Sequence, residues 1–432
     1  MKRIFLFISL ILVASVTVCA QSQDRWTILQ DGSIQWKPTR NLPHEDHVEM
    51  SGQMLSVVLR YGVDVQQRFH LNRSLVFPML RMKPNKTQNN LKQRFDVNIP
   101  AMVTVDDQTL LNEVVQDITF NGIMRVESDY GYIYRRKELK NAIHVTRILY
   151  PSINAPRYLE EYTFKNNSQN PITLRVPEWR VTYTTPEEAG VYGAYRIEAS
   201  LSKKGTFILK PGETLDFYAI YSGKKVSDDV TEKDNTAFSR ITIQSERAGR
   251  QALINQWWEN LVLDTPDPVL NRMFAFAKLR GAESIYRTKG GLMHGPGGEA
   301  YYAAVWANDQ AEYINPFFPF LGYDIGNESA LNAYRHFARY MNPEYNPIPS
   351  SIISEGVSFW HGAKDRGDGA MIAYGAARYA LARGDKEEAR ELWPLIEWCL
   401  EYCKRKLTSD GVVASNSDEL ENRFPAGDAN LC

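Results

Sequence analysis

The chain has 432 residues, with 50 lysines and arginines against 51 aspartates and glutamates, so its formal net charge is −1. This balance gives no electrostatic reason to expect binding to nucleic acid or to an anionic membrane surface. Hydrophobic residues make up 44% of the sequence, as in an ordinary globular protein, and the length indicates two domains.

Residues 1–20 have the pattern of a secretory signal peptide. Two basic residues precede an apolar stretch over residues 4–18, and the segment ends in Val18-Cys19-Ala20. The apolar stretch is shorter than the roughly 20 residues of a membrane-spanning helix, so cleavage after Ala20 is favoured over a retained anchor. Lipidation of Cys19 is less favoured because Val18 is larger than the residue that usually precedes a lipidated cysteine. We expect a secreted or periplasmic protein.

The cysteines do not form a disulfide framework. Removal of the signal leaves Cys399, Cys403 and Cys432, an odd number without framework spacing. Cys399 and Cys403 are four residues apart in a helical pattern and share one face, which predicts core residues rather than a metal or redox site. No Cys/His cluster has zinc spacing and no Gly-x-Ser-x-Gly elbow occurs, so we expect no metal, no cofactor and no serine nucleophile.

Residues 21–225 are predicted to form a large antiparallel β-sandwich. Apolar residues alternate through Leu215–Tyr221, after a turn at residues 210–213, and Phe207–Leu209 enters the same turn from the other side. This arrangement predicts a hairpin. Many similar short runs with few helical stretches indicate a sandwich. The other clear runs are Met54–Tyr61, Ile143–Tyr150, Tyr158–Phe164 and Ile172–Val176.

A linker containing one helix is predicted over residues 226–265, charged up to residue 250 and helical over Gln251–Leu263. Helical periodicity then dominates residues 266–432. The Gly369–Ala382 helix has small residues on most faces, which suits an inner helix, whereas Lys386–Leu407 is amphipathic and suits an outer one. The other predicted helices are Val269–Ile285 and Ser329–Tyr340.

Inner and outer helices in alternation predict a toroid of helical hairpins, of which this segment contains the first half. Long polar loops are expected between the helices, at Gly290–Glu299, Asn342–Asp368 and Ser409–Asn430. Loops of that length in a compact domain are usually functional.

The first group of candidate site residues is Trp306, Asn308 and Asp309, which follow a glycine-rich loop and two tyrosines. Asp309 suits a bidentate acceptor for sugar hydroxyls, with Trp306 stacking on the sugar ring. The structural alternative is that Asp309 caps a helix.

The second group contains Trp360, His361 and Asp368. Trp360 and His361 are candidates for lining a binding pocket, with a structural aromatic as the alternative. Asp368 directly precedes the small-residue helix, so helix capping is the simplest interpretation and ligand binding is the other.

The third group is an acidic cluster of Asp418, Glu419 and Glu421 close to the C-terminus. Three neighbouring acids often form a solvated loop, and Glu421 is also close enough in sequence to pair with Arg423. Partial burial among other carboxylates would instead raise the pKa of one of them and suit it to general acid catalysis.

At these residues the chain resembles the six-hairpin glycosidases, the (α/α)6-toroid glycoside hydrolases that include glucoamylases and α-L-rhamnosidases. The matching pieces are Tyr301–Gln310, residues 367–385, and residues 410–412 leading into residues 418–421. The resemblance covers residues 251–432, and the β-sandwich agrees in domain order. It implies a glycosidase in which a sandwich precedes the toroid.

The resemblance also implies roles for individual residues. Glucoamylase-like members have Trp-x-Arg-Asp, whose aspartate holds hydroxyls of the sugar beside the cleaved bond, and that role falls on Asp309. Asn308 replaces the arginine, which leaves the substrate open. Their Asp-Leu-Trp-Glu segment, whose glutamate is the general acid, corresponds to residues 418–421, so Glu421 is the first candidate and Glu419 the second. The general base of such enzymes lies in later hairpins.

A complete toroid of twelve helices needs on the order of 300 residues, and about 180 follow residue 250. The chain is therefore expected to be a fragment or a truncated product. The sequence predicts an exported, inverting glycoside hydrolase that acts on a plant or host glycan. A polysaccharide lyase and a non-catalytic carbohydrate-binding fragment are the alternatives.

Overall fold

The computed structural model of the protein describes residues 25–230, 240–360 and 364–416. Up to residue 230 the chain is mostly extended, with one short helix, α1 (Ile99–Met102), and 3-10 turns at Glu187–Ala189 and Val226–Val230. The strands in this part are β1 (Thr27–Ile28), β2 (Ile34–Trp36), β3 (His44–Ser51), β4 (Ser56–Val63), β5 (Phe69–Arg81), β6 (Asn90–Phe95), β7 (Thr104–Val105), β8 (Gln108–Thr109), β9 (Leu111–Phe120), β10 (Met124–Tyr134), β11 (Lys137–Pro151), β12 (Arg157–Asn166), β13 (Ile172–Val176), β14 (Arg180–Thr184), β15 (Tyr195–Leu201), β16 (Gly205–Leu209) and β17 (Thr214–Lys225).

Within the described residues these strands form one nine-stranded and two four-stranded antiparallel sheets. The large sheet has the order β1-β2-β9-β10-β11-β12-β17-β15-β14, and the smaller sheets are β3-β4-β5-β6 and β16-β13-β7-β8. One buried cluster contains Val126, Val145 and Phe217 from the large sheet together with Leu59 and Leu174 from the two small ones. The prediction of large antiparallel sheets is confirmed.

The predicted hairpin around residues 210–213 is wrong. β16 pairs with β13 in a small sheet, whereas β17 lies between β12 and β15 in the large sheet. Asn166, which is fully buried, holds the segment that connects β16 to β17. Its backbone oxygen accepts from Gly212 N at 2.7 Å, and its side chain donates to the Leu209 oxygen at 2.9 Å. The turn therefore leads from one sheet to another.

After residue 240 the chain is mainly helical, with short strands between the helices. The helices are α2 (Arg240–Glu259), α3 (Pro268–Glu283), α4 (Phe318–Leu321), α5 (Asp324–Ala338), α6 (Asp368–Arg383) and α7 (Lys386–Arg405), with a π-helix at Asn308–Ile314. The strands are β18 (Ile285–Thr288), β19 (Gly291–His294), β20 (Ala304–Trp306), β21 (Ser351–Ile353) and β22 (Ser358–Trp360).

Each of the five predicted helices corresponds to an α-helix in the described residues, in the predicted order, but the short helix α4 and the π-helix were not predicted and two boundaries are wrong. α2 begins at Arg240, inside the segment predicted to be a charged connector, and α5 begins at Asp324 rather than Ser329. α2 covers the outer face of the large sheet, because Ile243 belongs to the same buried cluster as Tyr218 and Ile220. Both faces of β17 are consequently buried.

Two segments predicted to be loops also contain strands. β18 pairs with β19, and β20, β21 and β22 form a three-stranded sheet, so residues 290–299 and 342–368 are partly extended. The runs are only three or four residues long, which is too short for alternation to show in the sequence.

α6 and α7 form an antiparallel helical hairpin. Gly384 adopts φ +66° between them, and the Asp385 side chain caps α7 by accepting from Glu387 N and Glu388 N. At the far end of the pair, Tyr402 of α7 packs against Gly369 of α6. One such hairpin agrees with the predicted inner and outer helices, while the complete toroid and the domain limits stay predictions.

Cys399 and Cys403 lie on the buried face of α7, 0% and 9% exposed, which confirms them as core residues. Burial raises the pKa of the Cys399 thiol. No helix in the described part of the chain is long and apolar enough to cross a membrane.

Candidate functional site

Two of the predicted site residues, Trp306 and Trp360, occupy matching positions in the three-stranded sheet. Ser351 of β21 is the cross-strand partner of Trp306 on one side and of Trp360 on the other. Because β20 and β22 are each antiparallel to β21, they run in the same direction. The two tryptophans therefore stand at the same end of the sheet, each at the last residue of its strand.

Each of these strands leads into a helical segment. β20 is followed by the π-helix, which begins at Asn308, and β22 is followed in the sequence by α6, which begins at Asp368. The two helical segments pack against each other, because Gly375 of α6 closely approaches the Ala311 oxygen and the Glu312 oxygen accepts from Arg378.

Asn308 and Asp309 are half-buried at the start of the π-helix. The capping position is Ala307, without a side-chain cap, so the interpretation of Asp309 as a helix cap is wrong. A carboxylate in the first turn is favoured there by the helix dipole. Asn308 and Asp309 thus follow Trp306 directly, at the edge where the strands end.

Asp368 does not cap α6 either. Gly367 occupies the capping position with φ +90°, and Asp368 is the first helical residue. The Asp368 side chain is 1% exposed and lies 4.0 Å from the Arg366 guanidinium. Its burial does not suit the predicted direct contact with a ligand in this conformation, although the role itself stays a prediction.

The turn before α6 is held by a carboxylate that sequence reasoning missed, Asp365. It is 2% exposed, accepts a hydrogen bond from the Tyr402 hydroxyl and accepts another from Gly367 N at 2.9 Å. Burial and the Asp365 carboxylate raise the pKa of Tyr402, so the phenol stays protonated as the donor. Asp365 and Tyr402 are 37 residues apart in the sequence, so no local sequence pattern indicates that they are hydrogen-bonded.

Asn416 attaches the following segment to the same end of α6. Asn416 N donates to the Asp365 oxygen at 2.8 Å, and the Asn416 side chain accepts from Asp365 N at 3.3 Å. The acidic residues Asp418, Glu419 and Glu421 lie outside the described residues, as does His361. The described chain therefore ends beside the N-terminus of α6, immediately before the predicted general acid.

The aromatic part of the site includes a contact with the loop between β5 and β6. Tyr301 packs edge-on against Trp306 with ring centroids 5.5 Å apart, and its hydroxyl accepts from Gln88 Nε2 at 2.8 Å. Gln88 lies between β5 and β6. Sequence reasoning missed it, because nothing local in the sequence relates the two residues.

The loop that carries Gln88 is held by hydrogen bonds from Arg81, which is fully buried. Its guanidinium donates to Asn85 Oδ1 at 3.0 Å, to Asn90 Oδ1 at 2.8 Å and to the Lys86 oxygen. A buried arginine with several acceptors orders the backbone around it. Gln88 is thus presented by an ordered loop.

The chain before Tyr301 is held electrostatically through Glu299. Burial alone would raise the pKa of this carboxyl, but hydrogen bonds from Arg60, Ser74 and Arg94 lower it to about 2. Glu299 therefore carries a negative charge at any physiological pH. No group of three or more His, Cys, Asp or Glu in the described residues could hold a metal ion.

The arrangement brings together two tryptophan positions, an amide and a carboxylate at the edge of a helical layer. Aromatic rings offer a flat apolar surface, while Asn308, Asp309 and Gln88 offer hydrogen-bond donors and acceptors. Such a combination suits a hydroxyl-rich ligand. It does not suit phosphate held by a glycine-rich loop, because no Gly-Lys-Ser/Thr follows the glycines.

No protein-family model and no curated protein matches the chain. Among solved structures, a bacterial glucoamylase bound to acarbose aligns over 86% of this chain and 69% of its own, with 9% identity and a TM-score of 0.33. A polysaccharide lyase aligns over 84% and 69% with 9% identity and a TM-score of 0.18. A family gh92 glycosyl hydrolase aligns over 89% and 53% with 11% identity and a TM-score of 0.22. TM-scores this low do not establish a common fold.

Proposed function

We propose that the protein is an exported glycoside hydrolase that binds its sugar at the edge formed by Trp306, Asn308 and Asp309. The observation that carries the proposal is that Trp306 and Trp360 both pair with Ser351 at one end of the three-stranded sheet, and that Asn308 and Asp309 begin the π-helix directly after Trp306. The signal-like residues 1–20 support export.

In this proposal Trp306 stacks on the apolar face of a sugar ring and Asp309 accepts hydrogen bonds from two neighbouring hydroxyls. Asn308 adds a donor and an acceptor beside them. Trp360 and His361 line the same sugar-binding pocket. Asp368 contributes indirectly, by stabilising the turn before α6. Tyr301, half-exposed against Trp306, limits the space available to the ring.

The chemical step is assigned to Glu421 as general acid, with Glu419 as the second candidate. Protonating the glycosidic oxygen lets the leaving sugar depart as an alcohol, while water gives up a proton to a general base, attacks from the opposite face and inverts the anomeric centre. The attachment of Asn416 to Asp365 supports this assignment, because it fixes the chain at the binding edge a few residues before the acids. The general base is not assigned.

The test is hydrolysis of a panel of plant and host polysaccharides by the full chain and by Glu421→Gln. A neutral amide cannot donate the proton, so the rate is expected to fall at least about a hundredfold. Release of reducing sugar measures it. Glu387→Gln, an exposed side chain of α7, is the matched control and is expected to retain full activity.

Three outcomes decide between this proposal and its alternatives. Unchanged hydrolysis in both Glu421→Gln and Glu419→Gln would rule out the acid assignment. An unsaturated uronate product, detected by its ultraviolet absorbance, would identify a lyase instead. Sugar binding in a calorimeter without turnover of any substrate would indicate a carbohydrate-binding protein.

A further inference from the structure

Three basic side chains of the sandwich surround one carboxylate beside the candidate site. Glu299 Oε1 lies 2.5 Å from Arg60 Nη1, and Oε2 lies 2.9 Å from Arg94 Nη2 and 3.6 Å from Lys92 Nζ. The Arg60, Lys92 and Arg94 side chains are 46%, 39% and 58% exposed, against 10% for Glu299. We call these three residues the basic cluster.

The basic cluster has more positive charge than attachment of one carboxylate requires. Within the parts of the chain that the structure describes, its three members form ion pairs with Glu299 alone. Glu49 lines the same cavity of about 490 Å³ as Arg60, but it pairs with Arg280 at 2.8 Å. The whole chain has a net charge of −1, so this local excess does not reflect a basic composition.

The basic cluster is continuous with the aromatic part of the site. Residues 299–301 run beside β6, because Gln88 contacts Tyr301, Asn90 donates to the Ala300 oxygen at 3.4 Å, and Lys92 and Arg94 contact Glu299. β6 is the edge strand of its sheet, and Lys92 and Arg94, two residues apart, share one face. A line of polar and basic groups therefore leads away from Tyr301.

We propose that the basic cluster binds an acidic group, a carboxylate or a sulfate, on the glycan that the candidate site receives. This inference rests on the proposed function for the nature of the ligand. Glu299 demonstrates that the spacing suits a carboxylate, and a planar guanidinium can contact a second anion with its remaining N–H groups. The substrate class is therefore an acidic polysaccharide rather than a neutral one.

Affinity gel electrophoresis of the full chain in polygalacturonate, dextran sulfate and neutral dextran tests the proposal without requiring turnover. Retardation is expected in an acidic polymer and not in dextran, and it should weaken as salt screens the charges. The double variant Lys92→Ala/Arg94→Ala keeps the Arg60–Glu299 pair and should bind about tenfold more weakly. Arg94→Lys keeps the positive charge and should therefore lose less affinity for the acidic polymer than the double variant does.

Arg180→Ala is the control, because Arg180 is 61% exposed and pairs with Glu198 on another sheet. Preference for polygalacturonate identifies a carboxylate ligand, and preference for dextran sulfate identifies a sulfate. The inference is overturned if dextran retards the protein equally or if the double variant binds as well as the unchanged protein. It is also overturned if Arg180→Ala loses as much affinity as the double variant, or if the protein binds polyglutamate as strongly as the acidic polysaccharides. Acidic-glycan binding without turnover leaves it standing and contradicts the hydrolase alone.

Discussion

At the scale of single residues, His144 shows how the large sheet accommodates charge. Its Nδ1 lies 2.7 Å from Asp129 and its Nε2 lies 2.8 Å from Glu127, both on the neighbouring strand β10. Two carboxylate partners require both ring nitrogens to donate, which is the protonated form. The hydrogen bond to Glu127 raises the pKa of His144, with Asp129 adding to it against the opposing effect of burial.

The raised pKa predicts a pH-dependent contribution to stability. Protonation is favoured in the folded state, so the contribution is complete below the unfolded pKa of about 6.5 and is lost as the pH rises through the folded value. His144→Gln should therefore lower the free energy of unfolding more near pH 6 than near pH 9. The difference should be at most about 1 kcal/mol, because the site is partly exposed.

Urea denaturation of both proteins at the two pH values measures this difference. Below pH 5 the comparison is less direct, because the pKa of Glu127 is lowered and its own contribution disappears as it protonates. An equal cost at pH 6 and pH 9 would contradict the prediction.

The residues of the candidate site were only partly predictable from sequence. Trp306, Asn308 and Asp309 stand out because an aromatic, an amide and a carboxylate follow one another on the chain. Gln88 and Asp365 act through partners far away in sequence, Tyr301 and Tyr402, so their roles depend on the folded arrangement. Capping was inferred from residue type, whereas Ala307 and Gly367 occupy the capping positions.

At the scale of elements, the contact between α6 and the π-helix depends on a missing side chain. A Cβ placed on Gly375 would lie 1.9 Å from the Ala311 oxygen, which is a backbone atom and cannot rotate away. This close approach packs α6 directly against the π-helix that carries Asn308 and Asp309.

Gly375→Ala should destabilise the protein by about 3 kcal/mol or more, because the helices must separate to admit the methyl group. Thermal and urea unfolding followed by circular dichroism measure it. Gly249→Ala is the matched control: it also lies within a helix, its Cβ would meet nothing closer than 3.7 Å, and alanine should be neutral or stabilising by about 0.5–1 kcal/mol. Equal effects of both substitutions would contradict the packing argument.

Helices and strands differed in how well the sequence predicted them. α6 and α7 were predicted within a few residues, because helical periodicity and the Gly384-Asp385 boundary are local signals. The partner strands of β16 and β17 were not predicted, because they depend on Asn166 and on strands distant in sequence. A turn sequence specifies that the chain reverses, but not which sheet receives the next strand.

At the scale of the whole molecule, a buried arginine in an ion pair connects the β-sheet part of the chain to the helices. Arg250 of α2 pairs with Glu283 of α3 at 2.7 Å, and both side chains are at most 2% exposed. The same guanidinium donates to the backbone oxygens of Ser51 and Gly122 in the β-sheet part. Arg250 thus bonds both to backbone oxygens of the β-sheet part and to a carboxylate of the helical part.

Arg250→Met should therefore cost about 3–5 kcal/mol, since it leaves the Glu283 carboxylate buried with weaker compensation. Arg335→Ala removes an exposed pair with Glu391 and should cost at most about 1 kcal/mol. Urea unfolding monitored by tryptophan fluorescence compares the two variants. A loss below 1 kcal/mol for Arg250→Met would show that the ion pair does not couple the two parts.

The position of β17 in the nine-stranded sheet has a consequence for the order of events during synthesis. The ribosome delivers β9 to β12 early and β14 and β15 later, but the two groups have no common edge until Thr214–Lys225 emerges and inserts between them. For that interval the nascent chain holds two incomplete sheets with open edges, the condition under which strands pair wrongly or aggregate. The last strand of the sheet to be translated is the one that closes it.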